Sequence, residues 1–341
     1  MRAGLGLLCV LLAVSPVQAG ETASWELAFE TSPVMRDTVY HDRSWGQADT
    51  AEDGAFSAIN RAWDQNRSGK WFIEQQRAGD LIIATGLAYG DRTLVDRGLR
   101  ILEWGFARQN ADGSFSCDDA FHSTSFFLEA AAHAVLLLDA APMGREFAVR
   151  VGALRDKLAP TAHWMTRPEV EAEAAKRNEV FTHRRFLVGA ALGEAAVALG
   201  DEALLAKSRD YVRDGLRLQQ PDGVNPEKHG YDSNYQAVGM VFAFRYYRLV
   251  ADEALRREMY PHLAKGVAWL ESRIGPDGDV SAEGNTRSGG EERNRDGSPK
   301  GVNYSWVVIT LADWADIGKD AGAADEAARV WQRWQAVKPR R

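Results

Sequence analysis

Leu199-Gly200-Asp201-Glu202-Ala203-Leu204 and, a little further on, Gln219-Gln220-Pro221-Asp222-Gly223-Val224 are two breaks of different kinds. In the first, Gly suits the end of one helical pattern and Asp suits the N-cap of the next, so the connection is tight. In the second, Asp-Gly is a turn former, and a long polar stretch follows it as far as Tyr235. Working outward, the tight break recurs at Gly90-Asp91, Ala251-Asp252 and Gly318-Lys319-Asp320. Leu94, Leu204 and Leu255 each stand three residues after such an Asp. The Asp-Gly break recurs at Asp53-Gly54, Asp112-Gly113 and Asp277-Gly278. Asp112, Asp222 and Asp277 are separated by 110 and 55 residues, the first interval twice the second. A missing member falls near Arg167, where Arg167-Pro168 reads as loop again. A period near 55 fits a pair of helices plus a loop.

The segments between breaks carry helical spacing, as in Phe127, Ala131, Ala134 and Leu138, or Leu255, Met259, Leu263, Val267 and Leu270. Phe186 to Leu199 is rich in Gly and Ala, which lets a helix lie close to its neighbours. No convincing strand ladder appears, although short loop segments have room to pair. The expected map is a set of helical hairpins near 80–108, 122–166, 182–218, 232–273 and 304–336, with a further element before residue 66. Long loops are expected at 109–121, 167–181, 219–231 and 274–303. Short and long connections alternate, so all the long loops fall at one end. The predicted fold is all-α, a complete or incomplete (α/α)5-6 toroid with its site at the long-loop end.

Arg2 followed by an apolar run from Leu5 to Val14, with small residues at Val17 and Ala19, reads as a secretory signal peptide over 1–19, cut after Ala19. One domain is expected over 20–341, exported to the periplasm or secreted. Past this leader only Cys117 remains, so no intrachain disulfide is expected. No later segment is apolar enough without interruption to suggest a membrane span. Asp and Glu outnumber Lys and Arg, 48 to 41, which argues against nucleic acid as a partner. A locally basic cleft in such a protein can still hold an anion.

Polar and aromatic residues collect where long loops enter helices. His122 follows Asp118 and Asp119. Asn178, His183, Arg184 and Arg185 open the next inner helix. Glu227, Lys228, His229, Tyr231, Asp232, Asn234 and Tyr235 open the one after, and Glu283, Arg287, Asn303 and Tyr304 lie in or beyond the last long loop. Helix N-termini favour anions, so an anionic polysaccharide or oligosaccharide is the expected partner. Arg287, Arg293, Arg295 and Lys300 sit in a Gly-rich loop that reads as a mobile segment or a lid.

The stretch Pro221-Asp222-Gly223-Val224-Asn225-Pro226-Glu227, then Gly230-Tyr231-Asp232-Ser233-Asn234-Tyr235, resembles the Asp-Gly loop and Tyr-bearing helix start of alginate and heparinase-type polysaccharide lyases. Asn178 to Leu199 is similar to their Asn/His-bearing inner helix, with Asn178 and His183 five residues apart where the family has them side by side. The resemblance implies β-elimination on a uronate glycan. Tyr235, His183 and Tyr231 are then the catalytic candidates. Asn178, His122, Arg184, Glu227, Lys228, His229, Asn234, Arg287 and Tyr304 become substrate-binding candidates. The chemistry requires donors to neutralise the uronate carboxylate as an enolate-like charge builds. A base must take the adjacent proton, and an acid must protonate the leaving oxygen. Tyr231 and Tyr235, four apart, share a face if the helix has begun by then.

Two other classes fit the same architecture. One is a glycoside hydrolase using two carboxylates among Asp119, Glu227, Asp232 and Glu283. The other is a non-catalytic glycan-binding or export protein. No cofactor is expected: there is no phosphate loop, no dinucleotide fingerprint, and no metal set among the seven histidines.

Overall fold

The computed structural model describes residues 16–290 and 292–337, with backbone alone for 16–19. The expected leader therefore lies largely outside the described residues. The described chain is all-helical, apart from isolated one-residue antiparallel bridges. Three helices come first: α1 Pro16–Glu30, α2 Pro33–Asp37 and α3 Ala58–Asn66. Five hairpins follow the predicted map closely. They are α4 Ala78–Tyr89 with α5 Arg92–Phe106, α6 Ala120–Ala140 with α7 Ala148–Met165, and α9 Thr182–Leu199 with α10 Glu202–Leu218. The last two are α11 Ser233–Leu249 with α12 Glu253–Glu271, and α13 Tyr304–Ile317 with α14 Ala321–Val337.

The tight breaks work as their residues require. Asp91, Asp201 and Asp252 cap their helices, and each side chain accepts the backbone N–H of the leucine three residues on, Leu94, Leu204 or Leu255. Asp320 does the same for Ala323.

The Asp-Gly breaks share a less obvious device. Gly54, Gly113, Gly223 and Gly278 all have positive φ, and a Cβ on any of them would overlap a helix carbonyl, that of Arg100, Pro160, Lys265 or Arg329 respectively. Each loop is thus seated on the second helix of the hairpin it introduces. Buried glutamines clamp two of these seats. Gln76 donates to the carbonyls of Gly54 and Ile101 and accepts from Phe56 N–H. Gln236 donates to those of Gly223 and Gly266 and accepts from Asn225 N–H.

The loop expected at 167–181 is corrected. Residues Pro168–Asn178 form a helix, α8, in place of the missing Asp-Gly turn. Pro168 occupies its first turn, where a missing N–H does no harm. Glu169 and Glu171 sit at its positive end and Lys176 and Arg177 at its negative end.

Helices α4, α6, α9, α11 and α13 pack in succession, each covered by the second helix of its own hairpin, while α2 touches both α4 and α13. Gly189 and Gly193 in α9 leave room for Val212 on one side and for Tyr246 and Val250 on the other. Helix α6 alone among the described helices has the length and hydropathy of a membrane span, and here it is the buried core helix. Helix α1 lies against α6 and α11, and its Trp25 indole donates to Asp316 at 2.8 Å.

Candidate active site

Three of these successive helices begin with a ring. His122 in the first turn of α6, His183 in that of α9 and Tyr235 in that of α11 meet, with centroids 6.3 Å apart for the two histidines and 4.6 Å for His183 and Tyr235. Gly239, one turn on from Tyr235, lets α11 approach the His183 backbone.

Glu227 reaches His183 because the 224–230 loop is laid along the chain entering α9. Thr182 donates to the Pro226 carbonyl through N–H and hydroxyl, and Lys228 N–H donates to that of Val180. A turn through Lys228 and His229, both with left-handed backbone, closes it. One oxygen of Glu227 then accepts the backbone N–H of His183 at 3.1 Å and lies 2.6 Å from its Nδ1. The other lies 3.4 Å from Arg287. His183 Nε2 is buried, with no hydrogen-bond partner among the described residues.

Asp232 supplies the next layer. One of its oxygens caps α11 through Tyr235 N–H, and the other accepts the N–H groups of Arg287 and Ser288. Part of the 274–303 loop is thereby pinned across the helix starts. Its Arg287 guanidinium lies 3.6 Å over the Tyr235 ring, and its Lys300 Nζ donates to the Tyr235 hydroxyl at 2.8 Å. Glu292 joins Arg287, Lys300 and Lys228. Farther along, Arg295 reaches Glu74 and Asp119 and lies over Phe72. Behind His122, a cavity of about 310 Å³ opens between α6, α7 and α8, lined by Phe121, Trp164, Val170 and Asn178 among others.

The electrostatics follow from this crowding of cations in a buried place. Burial, reinforced by Arg287 and Arg184, holds His183 well below the usual histidine range. Burial with Arg184 does the same to His122, so both rings are neutral near pH 7. Burial pushes the Glu227 carboxyl up to about 8 against the opposing His183 N–H and Arg287. Burial would raise Glu292 as well, but Arg287, Lys300 and Lys228 outweigh it and hold that carboxyl at about 2. The arrangement offers a neutral imidazole, a phenol and several fixed cations, which suits proton transfer beside an anion.

The structure brings together His122, His183, Glu227, Tyr235 and Arg287 of the predicted set, with Lys228 joined through Glu292. Arg184 stays close, its guanidinium 4.4 Å over the Phe181 ring and bonded to the Asn178 side chain. Asn234 holds the loop, accepting Asn303 N–H.

Others fall elsewhere. Tyr231 precedes α11, which starts only after the Asp232 cap, so it does not share a helical face with Tyr235. It packs on Trp269 and bonds the Glu283 carbonyl instead. Tyr304 stacks on Trp334 and bonds Asp279, away from the rings. Arg185 turns to Asp214 and backbone carbonyls, and His229 is exposed. Sequence reading missed Glu292. Its only signal was an acid set between Arg287 and Lys300 in a Gly-rich loop. No protein-family model matches the chain, and no curated protein matches it.

Proposed function

We propose that this chain is a polysaccharide lyase, built on an (α/α) toroid and acting outside the cytoplasm, that cleaves a uronate-containing glycan by β-elimination. The succession α4, α6, α9, α11, α13, with α2 touching both end members, supports the toroid. The observation that carries the chemistry is Tyr235, whose hydroxyl accepts from Lys300 while Arg287 covers its ring and His183 lies alongside. In this reading Arg287, Lys300 and Arg184 neutralise the uronate carboxylate, which makes the neighbouring C–H proton removable. Tyr235 passes its hydroxyl proton to neutral His183 as it takes the C–H proton, then gives a proton to the leaving oxygen and recovers its own from His183. Neutral His183, oriented by Glu227, is the second proton carrier. Asn178 positions Arg184, and His122 lines the glycan cleft. Substrate reaches these groups when the segment 286–300 lifts.

A panel of acidic polysaccharides tests this. Elimination leaves a conjugated double bond that absorbs in the ultraviolet, and Tyr235→Phe is expected to lower its rate at least a hundredfold, in line with loss of a general acid–base group. A Phe variant with full activity removes Tyr235 from the mechanism.

One observation favours a glycoside hydrolase as the second reading. Glu227 and Glu292 both touch Arg287, yet their environments push the two carboxyls in opposite directions, as an acid and base pair requires. Asp232 is not free for that role, because backbone N–H groups occupy both its oxygens. Reducing ends released without the ultraviolet signal decide for hydrolysis. Glycan retention with neither signal decides for a binding protein.

A further inference from the structure

A second polar cluster lies deeper in the helix core, and the elimination does not use it. Helices α1, α4, α6, α9 and α13 bring six buried carboxyl groups there: Glu26, Glu30, Asp80, Glu129, Glu194 and Asp313. Among the described residues two guanidinium groups pair with them, Arg245 and Arg248 of α11, together with the imidazole of His133 on α6. We propose that Glu26, Glu30 and His133 form a binding site for one divalent transition-metal ion, with Zn²⁺ the best match.

The geometry comes first. Nε2 of His133 lies 3.2 Å from a Glu26 oxygen and 3.7 Å from a Glu30 oxygen, and the three donor atoms all fall within 4.8 Å of one another. A tetrahedral Zn²⁺ with bonds of about 2.0–2.1 Å spaces its ligand atoms by roughly 3.3–3.4 Å, so small side-chain movements admit the ion. The outer contacts suit it too. Asp80 lies 2.8 Å from His133 Nδ1. With Asp80 on Nδ1, a metal on Nε2 would take the place of the proton that otherwise bridges the ring to Glu26, giving the carboxylate–histidine–metal order of zinc sites. Arg248 holds Glu26, and the Tyr40 hydroxyl holds Glu30. A bare Nε2 facing two carboxylate oxygens is repulsive unless a cation or a proton stands between them.

Glu194 is an independent sign of a missing polar partner. It is wholly buried, and neither of its carboxylate oxygens has a hydrogen-bond partner among the described residues. It lies within electrostatic reach of Glu129, His133 and Glu26. Counting six acids against two arginines and one imidazole, the acids outnumber the cationic groups that face them, and a dication would offset the difference. One imidazole with carboxylates favours zinc over the harder, all-oxygen cations. The sequence hid this set because Glu26 and Glu30 stand far from His133 and form no spaced motif.

The test uses the full chain, purified without a metal-chelate resin. Elemental analysis is expected to give one zinc per chain. After EDTA treatment, adding ZnCl₂ is expected to raise Tm by several degrees. His133→Gln and Glu30→Gln should lose both effects, whereas Tyr235→Phe should keep them. Absence of stoichiometric zinc together with no ZnCl₂-dependent Tm shift overturns the proposal. So does zinc that survives His133→Gln but is lost in His183→Ala, which places the ion at the mouth histidines. If the core variants fail to fold, X-ray absorption on the zinc-loaded wild type decides. One nitrogen with oxygen ligands supports the site, and a shell of two or more histidines refutes it.

Discussion

Replacing Gln236 by Leu removes the clamp that seats the Asp222-Gly223 loop on α12. Three buried backbone groups lose their partner: the carbonyls of Gly223 and Gly266 and the N–H of Asn225. At about 1–3 kcal/mol for each unsatisfied group, the gross loss is about 6 kcal/mol. Burying the leucine side chain returns about 2 kcal/mol, which leaves about 4 kcal/mol of net destabilisation. With an unfolding entropy of about 2.1 cal/mol/K per residue over roughly 320 residues, Tm falls by about 6 °C. Gln76→Leu breaks the matching bonds to Gly54, Ile101 and Phe56 and should give a similar fall. Differential scanning calorimetry reads the size, and hydrogen exchange reads the place. Gln236→Leu should deprotect 219–231, and Gln76→Leu should deprotect 50–57. A Tm change under about 1 °C, or unchanged protection in those loops, refutes the clamp as a source of stability.

Glu227→Gln changes a pH dependence. The carboxyl sits at about 8 in the folded chain against about 4.3 unfolded, so the native state holds its proton more tightly. That contribution is complete below the unfolded value and is lost as pH rises through the folded one. The Tm of wild type minus that of the variant should therefore fall from about pH 4.3 to about pH 8 and then level; a flat difference refutes the raised carboxyl. Arg295→Ala cuts half-exposed ion pairs to Glu74 and Asp119, so Tm should move by an amount equivalent to less than about 1 kcal/mol. Amide exchange over 292–300 should nonetheless quicken, and unchanged exchange means that Arg295 does not hold the loop. Gly200→Ala meets open space, whereas Gly113→Ala drives a Cβ into the Pro160 carbonyl. Both carry the left-handed penalty of about 1–2 kcal/mol, and urea midpoints should show Gly113→Ala losing at least twice as much. Equal losses refute the seating of that loop.

The hairpins were legible because their signals are local. A cap and a leucine three residues later are read without knowing the rest of the chain. Helix α8 had local signals as well, Pro168 at its start and acids and bases at its two ends, but Arg167-Pro168 was weighed as a break. The pairing of His183 with Tyr235 was legible as two helix starts facing one cleft. The contact of Glu292 with Lys228 and Arg287 was not, because the loop path that creates it is set by Asp232 holding two distant N–H groups. The condition set for Tyr231 is not met: Asp232 caps the helix and Ser233 is its first residue, so the 3.6-residue face begins two residues after Tyr231. The buried acids were invisible for the same reason as the loop contacts. Nothing near Glu26 in the chain announces Arg248 or Asp313.

Helix α1 has a kinetic consequence. Its side chains meet partners far along the chain: Glu26 pairs with Arg248, and Trp25 bonds to Asp316. A chain made in the N-to-C direction exposes Glu26 and Glu30 long before Arg245 and Arg248 exist, so α1 docks late. Contacts at such separation slow folding, and until α11 has been made these two carboxylates lack the guanidinium groups of Arg245 and Arg248 that pair with them. Helix α11 must therefore form before α1 can seat its two acids, and Asp316 of the last hairpin closes the contact to Trp25.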